Sequence, residues 1–407
     1  MHCRICKSER LRRFLDLGST PAADDFLTPQ RLKEPEASYP LEAYICGECS
    51  LVQLGYVVPP EVLFQKDYPY ESSMTETGVK HFHSFAKEVA GEFKLTAGDL
   101  AVDIGSNVGV LLEGFKKLGI GVLGVEPAPN ICKIASQRGI ETLNTFFNED
   151  TVSRIIDVKG KAKIITGTNV VAHIDDLHAL LNNIDRLLTE EGVFIFEAPY
   201  LVNLIENREY DTIYHEHLSY LSVKPLVRLF NMFDMEIFDI NKQSIHGGSL
   251  RYFASRKNDY NISGRVGELL ALEEERRIYD IKVLEAFAQD IRDNKTELTR
   301  LLQSLKKSGK RIAGVGAPAK GMTLLNYCGI GTGMLDFITE KSKLKIGKYT
   351  PGTHIPVLPD SELLKERPDF ALLLSWNFAD EIMANLKDYA ATGGKFIIPI
   401  PRPHIAD

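Results

Sequence analysis

The most informative absences in this sequence are a long apolar run and an excess of positive charge. No stretch of about 18 apolar residues occurs, which excludes a membrane-spanning helix. The formal net charge of the 407 residues is −7, which argues against a partner such as nucleic acid or an anionic membrane. The first residues, MHCRICKSER, lack the apolar region of a signal peptide. We therefore expect a cytoplasmic protein that binds neither nucleic acid nor a membrane.

Cysteine is scarce, and four of the six cysteines are paired near the N-terminus. CRIC (3–6) and CGEC (46–49) each separate two thiols by two residues. In a cytoplasmic chain this spacing favours a metal over disulfides, and four thiolates satisfy tetrahedral zinc without an open position. We interpret residues 1–65 as a small zinc-binding module with a structural ion; a redox dithiol is the alternative. The predicted ligands are Cys3, Cys6, Cys46 and Cys49.

A third absence is that of the dinucleotide motif GxGxxG. The segment GDLAVDIGSNVGVLLEGFKKLG (98–119) reads as strand, glycine turn and helix, but Asn107 replaces the second glycine. The next strand ends at Glu126, where an acid typically binds ribose hydroxyls. Asp103, at the end of the first strand, suits a cationic amino-acid ligand better than a pyrophosphate. The pattern favours S-adenosylmethionine, with a nicotinamide-dependent reductase as an alternative.

The loop TGTNVVAHID (166–175) follows a further strand, so we expect it at the carboxyl edge of the sheet, near the cofactor. Its His173 fits two interpretations equally: a residue that covers the cofactor, or the start of a helix without a further role. The residues assigned to the cofactor are Asp103, Gly105, Asn107, Gly109, Glu126, Pro127, Asn169 and His173.

Strands and helices alternate on both sides of a charged stretch with helical spacing. Residues 66–257 end in the strand pair that usually closes a methyltransferase sheet, and residues 258–308 are interpreted as a helical linker. Residues 309–407 begin with a second strand, glycine turn and helix. The predicted fold class is α/β: the N-terminal zinc-binding module, a class I S-adenosylmethionine-dependent methyltransferase domain that is Rossmann-like, and a second Rossmann-like α/β domain at the C-terminus.

The most polar cluster of the sequence is IYHEHLSY (213–220), which follows a buried strand. Its histidines, His215 and His217, fit a metal site, proton transfer or simple packing. The absence of a third nearby ligand argues against a metal, and a polar cluster on the cofactor edge favours proton transfer. Tyr68 and Tyr70 fit a substrate cleft or buried packing equally well.

The C-terminal domain begins with features of an anion site. A glycine turn, a helix start and Lys320 together are typical of phosphate binding. The stretch KSKLKIGKYTPGTHIPV (341–357) is basic within an acidic protein. We therefore predict an anionic ligand such as a nucleotide diphosphate; a structural domain with a solvated loop is the alternative.

Several motifs together resemble the nucleotide-sugar C-methyltransferase family over nearly the whole chain. They are CRIC with CGEC, VDIGSNVGVLL, EAPYL with IYHEHLSY, HGGSLR, GVGAPAKGMTLLNYCGI with PGTHIPV, and SWNF. The resemblance implies methyl transfer from S-adenosylmethionine to the ring carbon beside the keto group, C-3, of a thymidine-diphosphate (dTDP) 4-keto-deoxysugar. It also implies that the zinc module and the C-terminal domain enclose this nucleotide sugar.

The resemblance further implies roles for individual residues. His217 would be the general base, Glu216 would orient the base or the substrate, and Tyr214 would contact a keto or hydroxyl group. Tyr70 would be a second catalytic tyrosine. Independently of the resemblance, alternation in an extended segment would place Tyr214 and Glu216 on one side and His215 and His217 on the other, which a loop need not obey. The residues assigned to the substrate are Tyr68, His246, Gly247, Arg251, Lys320, Trp376 and Asn377.

Two other functions stay open on the sequence alone. One is methylation of oxygen or nitrogen on a sugar nucleotide or a related small molecule, because histidine serves as a base there too. The other is a non-catalytic protein that binds a sugar nucleotide or RNA, which the acidic charge and the strand-end acids oppose. The oligomeric state is taken as a monomer or a small homo-oligomer.

Overall fold

The computed structural model describes residues 1–65, 67–243 and 248–406, which are organised around three β-sheets. The N-terminal sheet is antiparallel, and its fourth strand comes from far along the chain. Its strands, in spatial order, are β1 (Leu11–Thr20), β2 (Tyr39–Cys46), β3 (Val52–Leu54) and β9 (Ser219–Tyr220). Because β9 ends the polar segment 213–220, the zinc module and that segment share one sheet.

The central sheet has seven strands in the spatial order β10, β11, β8, β7, β4, β5, β6. The strands are β4 (Leu100–Ile104), β5 (Gly121–Val125), β6 (Thr142–Leu143), β7 (Ala162–Thr168), β8 (Leu188–Pro199), β10 (Met235–Gln243) and β11 (Ser249–Arg256). Strands β4 to β8 are parallel, and β11 runs antiparallel to both β8 and β10.

Helices cover both faces of this sheet, which explains why its central strands are apolar without alternation. In β8 all residues from Val193 to Ala198 are buried, and Phe194 stacks on Phe196 with ring centroids 5.0 Å apart. The helices are α1 (Pro60–Phe64), α2 (Glu76–Glu92), α3 (Val110–Lys117), α4 (Pro129–Gln137), α5 (Glu149–Lys159), α6 (Leu177–Leu187), α7 (Leu201–Glu206) and α8 (Val223–Asn231).

Two further helices, α9 (Gly264–Glu275) and α10 (Ile281–Lys307), occupy the stretch with helical spacing. The C-terminal sheet follows in the spatial order β14, β13, β12, β15, β16, β17, and only the pairing of β16 with β17 is antiparallel. Its elements are β12 (Ile312–Val315), α11 (Ala319–Cys328), β13 (Ile338–Glu340), β14 (Val357–Pro359), α12 (Ser361–Glu366), β15 (Phe370–Leu373), α13 (Ala379–Asn385), α14 (Lys387–Ala391), β16 (Lys395–Ile398) and β17 (His404–Ala406).

The three sheets confirm the predicted α/β fold class with two Rossmann-like sheets. They also place the ends of β4, β5 and β7 at one edge, because parallel strands end on the same side of a sheet. No helix among the described residues is long and apolar enough to cross a membrane.

The N-terminal region also contacts the C-terminal domain directly. Leu27 and Tyr349 exchange two backbone hydrogen bonds, of 2.9 and 2.8 Å. Glu36 accepts a hydrogen bond of 2.9 Å from the Gly352 amide and pairs with His354. Residues 27–36 of the N-terminal region therefore pack directly against residues 349–354 of the C-terminal domain.

Gly109 shows how tightly the first glycine turn is packed. Its φ is +78°, and a Cβ atom there would lie 2.9 Å from two carbons of Ile140. We expect Gly109→Ala to lower the free energy of unfolding by about 2–4 kcal/mol, since backbone strain and overpacking add. Gly119 has a similar φ of +81° with nothing within 4 Å, so Gly119→Ala should cost only about 1 kcal/mol. Urea unfolding measures both, and equal losses would contradict the packing argument.

Candidate active site

A cavity of about 790 Å³ opens where β4, β5 and β7 end. Asp103, Glu126 and Asn169 stand in its wall at or just beyond these three strand ends. All of the residues assigned to the cofactor except Gly109 line it. The structure therefore brings the predicted cofactor residues together in one cavity.

Asp103 is almost fully buried at the end of β4. Its Oδ1 accepts a hydrogen bond of 2.7 Å from Thr166 Oγ1. Burial raises the pKa of Asp103 to about 7, although the bond from Thr166 opposes this. Only this one hydrogen bond offsets the burial of the Asp103 carboxyl group, which is therefore suited to bind a cationic group of a ligand.

Glu126 is held by backbone amides on both carboxylate oxygens. Oε2 accepts from Asn107 N at 3.0 Å, and Oε1 accepts from Ala128 N at 2.9 Å. Burial raises the pKa of Glu126, and the two amides oppose the shift. The glycine turn and the second strand end are thereby fixed to each other.

Asn107 replaces a glycine of the dinucleotide motif, and its side chain makes hydrogen bonds that a glycine could not make. Its φ is +49°, a conformation that asparagine tolerates better than most residues. Its side chain accepts from Ser72 N at 2.8 Å and donates to Tyr70 O at 3.0 Å. Asn107 thus ties the tyrosine segment to the cofactor turn.

Three polar atoms in the cavity wall have no hydrogen-bond partner within the part of the chain that the structure describes. They are Ser106 Oγ, Asn169 Oδ1 and His173 Nε2, and all three are buried. Burial, and then the nearby His217, keep the pKa of His173 well below its usual range, so the ring is neutral. Because unpaired buried polar atoms are costly, these atoms fit a cavity built to receive a polar ligand.

The segment 213–220 forms a turn at residues 214–217 before it enters strand β9. The His217 amide donates to Tyr214 O at 2.9 Å, which closes a tight turn. The rings of Tyr214 and His217 are consequently 4.0 Å apart between centroids. The alternation of an extended segment does not apply to this turn, because the rings of Tyr214 and His217 face each other.

His215 leaves this turn in another direction. It is buried, and its Nε2 lies 3.2 Å from Tyr39 O in the N-terminal sheet. The structure thus separates the two histidines, and only His217 adjoins the cavity wall, with its ring centroid 5.0 Å from that of His173.

His217 is oriented by a backbone carbonyl. Its Nδ1 lies 2.8 Å from Thr212 O. A carbonyl oxygen only accepts, so Nδ1 carries the proton of the neutral ring and Nε2 carries the lone pair.

Glu216 connects the turn to the tyrosine segment. Its Oε2 accepts a hydrogen bond of 3.1 Å from Tyr68 OH, and the residue is 3% exposed. Burial, followed by the nearby Asp24 carboxylate, raises the pKa of Glu216 well above its usual range. Tyr70 lies in the cavity wall with 44% of its surface accessible.

The three predicted substrate residues of the C-terminal domain lie together. Lys320 Nζ is 4.2 Å from the ring centroid of Trp376 and donates to Asn377 Oδ1. Trp376 Nε1 donates to Asp211 Oδ2 at 2.6 Å, two residues before the polar segment. Burial lowers the pKa of Lys320, while Asp211 and Glu209 oppose this.

Arg251 lies elsewhere, in a buried ionic network. Its Nε donates to Glu197 Oε1 and its NH1 to Glu88 Oε2, both at 2.8 Å. The guanidinium also lies 3.8 Å from the ring centroid of Phe85. These partners engage Arg251 inside the protein, away from the cavity wall. The other two predicted substrate residues next to it, His246 and Gly247, lie outside the described residues.

The four predicted metal ligands form one compact group. Cys3 and Cys49 Sγ are 3.3 Å apart, Cys6 and Cys46 Sγ are 3.5 Å apart, and all four sulfurs lie within 4.8 Å of one another. Tetrahedral zinc with thiolate ligands requires sulfur separations of about 3.8 Å. The group therefore fits a closed, four-thiolate zinc site.

Comparison with known proteins covers the same three regions. Family models match at residues 3–64 for a zinc binding domain, 82–239 for a methyltransferase domain and 244–401 for a C-methyltransferase C-terminal domain. The C-methyltransferase NovU of Streptomyces niveus is 36% identical over 99% of this chain and 96% of its own length. This chain belongs to the C-methyltransferase family.

More distant similarity is confined to part of the chain. A ubiquinone biosynthesis O-methyltransferase of Azorhizobium caulinodans is 24% identical over 29% of this chain and 45% of its own length. The crystal structure of magnesium protoporphyrin IX methyltransferase from Synechocystis PCC 6803 with bound SAH covers 46% of this chain and 90% of that chain, at 14% identity and a TM-score of 0.36.

Membership of the family fixes the activity: the protein is a C-methyltransferase enzyme. Its methyl donor is S-adenosylmethionine. Its second cofactor is zinc, held by the cysteine group.

Arg4, between Cys3 and Cys6 of the cysteine group, contacts the chain directly after the turn of residues 214–217. The side chain is 5% exposed and pairs with Asp175 at 2.9 Å. Its NH1 donates to Leu54 O at 2.9 Å and to Leu218 O at 3.1 Å. Burial lowers the pKa of Arg4, and Asp175 opposes this. The Arg4 side chain therefore connects the cysteine group to Leu218, in addition to the pairing of β3 with β9.

Sequence reasoning missed several polar residues at this site, in particular Ser106, Asp24, Lys345 and Asp211. Ser106 lies inside the quoted glycine turn, so its position there was the available signal. Lys345 lies in the basic stretch interpreted as solvated or ligand-binding, yet its side chain is 6% exposed. No local pattern signals Asp24 or Asp211.

We expect Cys46→Ser to reduce bound zinc from about one ion per chain and to lower the melting temperature, because metal binding stabilises the folded module. Methyl transfer should fall with it, since Arg4 and β9 transmit the loss to the catalytic turn. Zinc content by mass spectrometry, thermal unfolding and turnover measure the three effects. Cys328→Ser is the matched control, because Cys328 is buried outside the cysteine group. A Cys46→Ser enzyme with wild-type turnover would show that the module does not support the site.

Proposed function

We propose that this C-methyltransferase methylates C-3, the ring carbon beside the keto group, of a nucleoside-diphosphate 4-keto-deoxysugar through an enolate. The thymidine diphosphate sugar is the nucleotide sugar we favour, in deoxysugar biosynthesis. The observation that carries the proposal is the tight turn that sets the His217 ring beside Tyr214, next to the cofactor cavity. The resemblance of the whole chain to nucleotide-sugar C-methyltransferases supports it.

A ring carbon is not a nucleophile until its proton is removed. Beside a ketone the resulting carbanion is stabilised as an enolate, so the reaction requires a base of pKa near the working pH. We assign this role to His217 because Thr212 O holds the proton on its Nδ1, so Nε2 is the ring nitrogen that can accept a proton. In this proposal His217 Nε2 takes the C-3 proton and the electrons of the C–H bond move onto the keto oxygen.

The developing oxygen charge requires hydrogen-bond donors, and the site offers hydroxyl groups for this task. Burial, and then Glu216, raise the pKa of Tyr214 well above its usual range, so its phenol stays protonated and can donate. Tyr70 offers a second hydroxyl from the cavity wall. Tyr68 is placed differently, since it donates to Glu216 and orients that side chain.

When bound, S-adenosylmethionine would supply a methyl group on a sulfonium centre, so that C-3 would gain the new carbon–carbon bond and sulfur would keep the electron pair of the broken methyl–sulfur bond. Asp103, Glu126 and Asn169 would hold this cofactor against the glycine turn. His173, neutral and facing the cavity, would exclude water between cofactor and base.

We assign the nucleotide diphosphate to the C-terminal domain. Lys320 offers a cation and Trp376 an aromatic face, and Lys320 Nζ lies 4.2 Å from the Trp376 ring centroid. Trp376 in turn contacts the segment before the turn through its hydrogen bond to Asp211. We propose the following division of the chain: residues 1–65 as the zinc-binding module, 66–257 as the methyltransferase domain, 258–308 as the helical linker and 309–407 as the sugar-nucleotide domain.

We expect His217→Asn to lower methyl transfer about 10²–10⁴-fold, while S-adenosylhomocysteine and the sugar nucleotide bind as before. The reason is that the asparagine amide can still donate to Thr212 O in place of Nδ1 but cannot take the proton. Turnover with a dTDP-4-keto-deoxysugar and calorimetric binding measure the two effects. His215→Asn is the control: it should lower stability, because Tyr39 loses its partner, without loss of turnover per folded enzyme.

Exchange of the C-3 proton separates this function from methylation of oxygen or nitrogen. In D₂O with substrate and S-adenosylhomocysteine, wild-type enzyme should introduce deuterium at C-3, and His217→Asn should not. Methylation without any exchange or loss of the C-3 proton would contradict the enolate.

A further inference from the structure

A fully buried aspartate lies shortly before the turn that carries the proposed base. Asp211 belongs to a short 3-10 helix, Tyr210–Thr212, and is 0% exposed. Aspartate is rarely buried to this extent unless a partner offsets the loss of water around its carboxyl group. For Asp211 that partner comes from the C-terminal domain.

The partner is the indole of Trp376. Asp211 Oδ2 accepts a hydrogen bond of 2.6 Å from Trp376 Nε1. The other oxygen, Oδ1, is buried and has no hydrogen-bond partner within the part of the chain that the structure describes. The indole N–H therefore fixes the direction in which the buried carboxyl group points.

The preceding residue, Tyr210, anchors the short helix on the same side. It is 0% exposed, and its hydroxyl donates to Asn294 Oδ1 of α10 at 2.9 Å. Asn294 Nδ2 donates in turn to Pro399 O, directly after β16, at 2.9 Å. Tyr210 and Asp211 thus fasten the 3-10 helix to the linker helix and to the C-terminal domain.

The end of the same helix holds His217. The last carbonyl groups of a helix have no partner within it, and Thr212 O lies 2.8 Å from His217 Nδ1. Thr212 is itself fixed, because its hydroxyl donates to Glu209 O at 2.6 Å. Asp211, held by Trp376, is therefore the immediate neighbour of the residue whose carbonyl group orients the base.

We propose that Asp211 is a positioning residue for methyl transfer: its hydrogen bond with Trp376 holds the Thr212 carbonyl group in place and thereby sets the orientation of the His217 ring. A displaced ring would move Nε2 away from the substrate proton, and reaction rates are sensitive to such displacements. The catalytic part of this inference rests on the proposed enolate reaction, in which His217 is the base.

The indole of Trp376 has two tasks that one substitution can separate. Its ring centroid lies 4.2 Å from Lys320 Nζ, where we assign the nucleotide diphosphate, and its N–H group holds Asp211. Trp376→Phe keeps an aromatic face and removes the N–H group. A defect in the ligand contact should raise KM, whereas a defect in the orientation of the base should lower kcat.

The first measurement needs no substrate. In protein with isotope-labelled histidine, the His217 Nδ1 proton should give a nuclear magnetic resonance signal that exchanges slowly with water, identified by its absence in His217→Asn. Trp376→Phe and Asp211→Leu should broaden or remove this signal, because the Thr212 carbonyl group is released. Asp211→Asn should keep the signal, because an amide oxygen still accepts from Trp376 Nε1.

Two results of this measurement would overturn the inference whatever the substrate is. One is a wild-type spectrum without the signal, and the other is a signal unchanged in both Trp376→Phe and Asp211→Leu. With the signal altered as expected, failure to methylate any 4-keto sugar nucleotide overturns only the proposed function.

The second measurement separates kcat from KM for the nucleotide sugar. In Trp376→Phe, kcat should fall about 10- to 100-fold while KM changes less than about threefold. Asp211→Leu should lower kcat to the same degree, and the double variant should fall no further, because both changes remove the same hydrogen bond. Asp211→Asn should restore most of the kcat. Losses of the two single variants that add in the double variant, or a rise in KM without a fall in kcat, contradict the proposal.

Tyr389→Phe is the matched control for the stability of the C-terminal domain. Tyr389 is 0% exposed, and its hydroxyl donates to Pro368 O at 3.0 Å, outside the pair of Asp211 and Trp376. Loss of this buried hydrogen bond should lower the melting temperature but leave the His217 signal and kcat as in the wild type. An equal loss of kcat in Tyr389→Phe and Trp376→Phe, measured where both are folded, would overturn the positioning role, since domain stability alone would then explain the effect.

Discussion

The pairing of β9 with β3 is the interaction on which the candidate active site depends. Gln53 and Val52 pair with Ser219 and Tyr220, and Leu54 N donates to Leu218 O at 2.9 Å. The catalytic turn is therefore the continuation of a strand in the zinc module's sheet. A zinc ion that performs no chemistry still matters to the reaction, because a sheet this small needs the ion to hold its edge in place.

Burial of charge is the second constraint on this site, and the structure meets it with partners from distant regions. Arg4 reaches Asp175, Lys345 reaches Asp24, and Trp376 reaches Asp211. Each pair connects two of the three regions. The interactions that offset the burial of charge are therefore also the interactions that hold the regions together. Removing Lys345 or Trp376 would leave the buried carboxyl group of Asp24 or Asp211 without that partner, which costs more than the pair itself contributes.

Features with a local cause could be predicted from the sequence, and those with a distant cause could not. The apolar strand and glycine turn at 98–119 predicted a cofactor edge, and the spacing of four cysteines predicted one metal site; both patterns are set by neighbours in sequence. The ion pair of Asp24 with Lys345 joins residues more than 300 positions apart, so no short stretch of the sequence contains both residues. The turn from Tyr214 to His217 is local, but side-chain alternation describes only an extended segment, and here a single backbone hydrogen bond sets the two rings side by side.

The position of the proposed base links these constraints. Thr212 O holds His217 Nδ1, and the neighbouring Asp211 is held by Trp376 of the C-terminal domain. On the other side, the residue after His217 is fixed by Arg4 and β3. A base anchored from both directions keeps one tautomer and one orientation only while both outer modules are docked. Because Lys320 contacts the same tryptophan, a ligand bound in the C-terminal domain would act on the base through two contacts, Trp376 to Asp211 and Thr212 to His217.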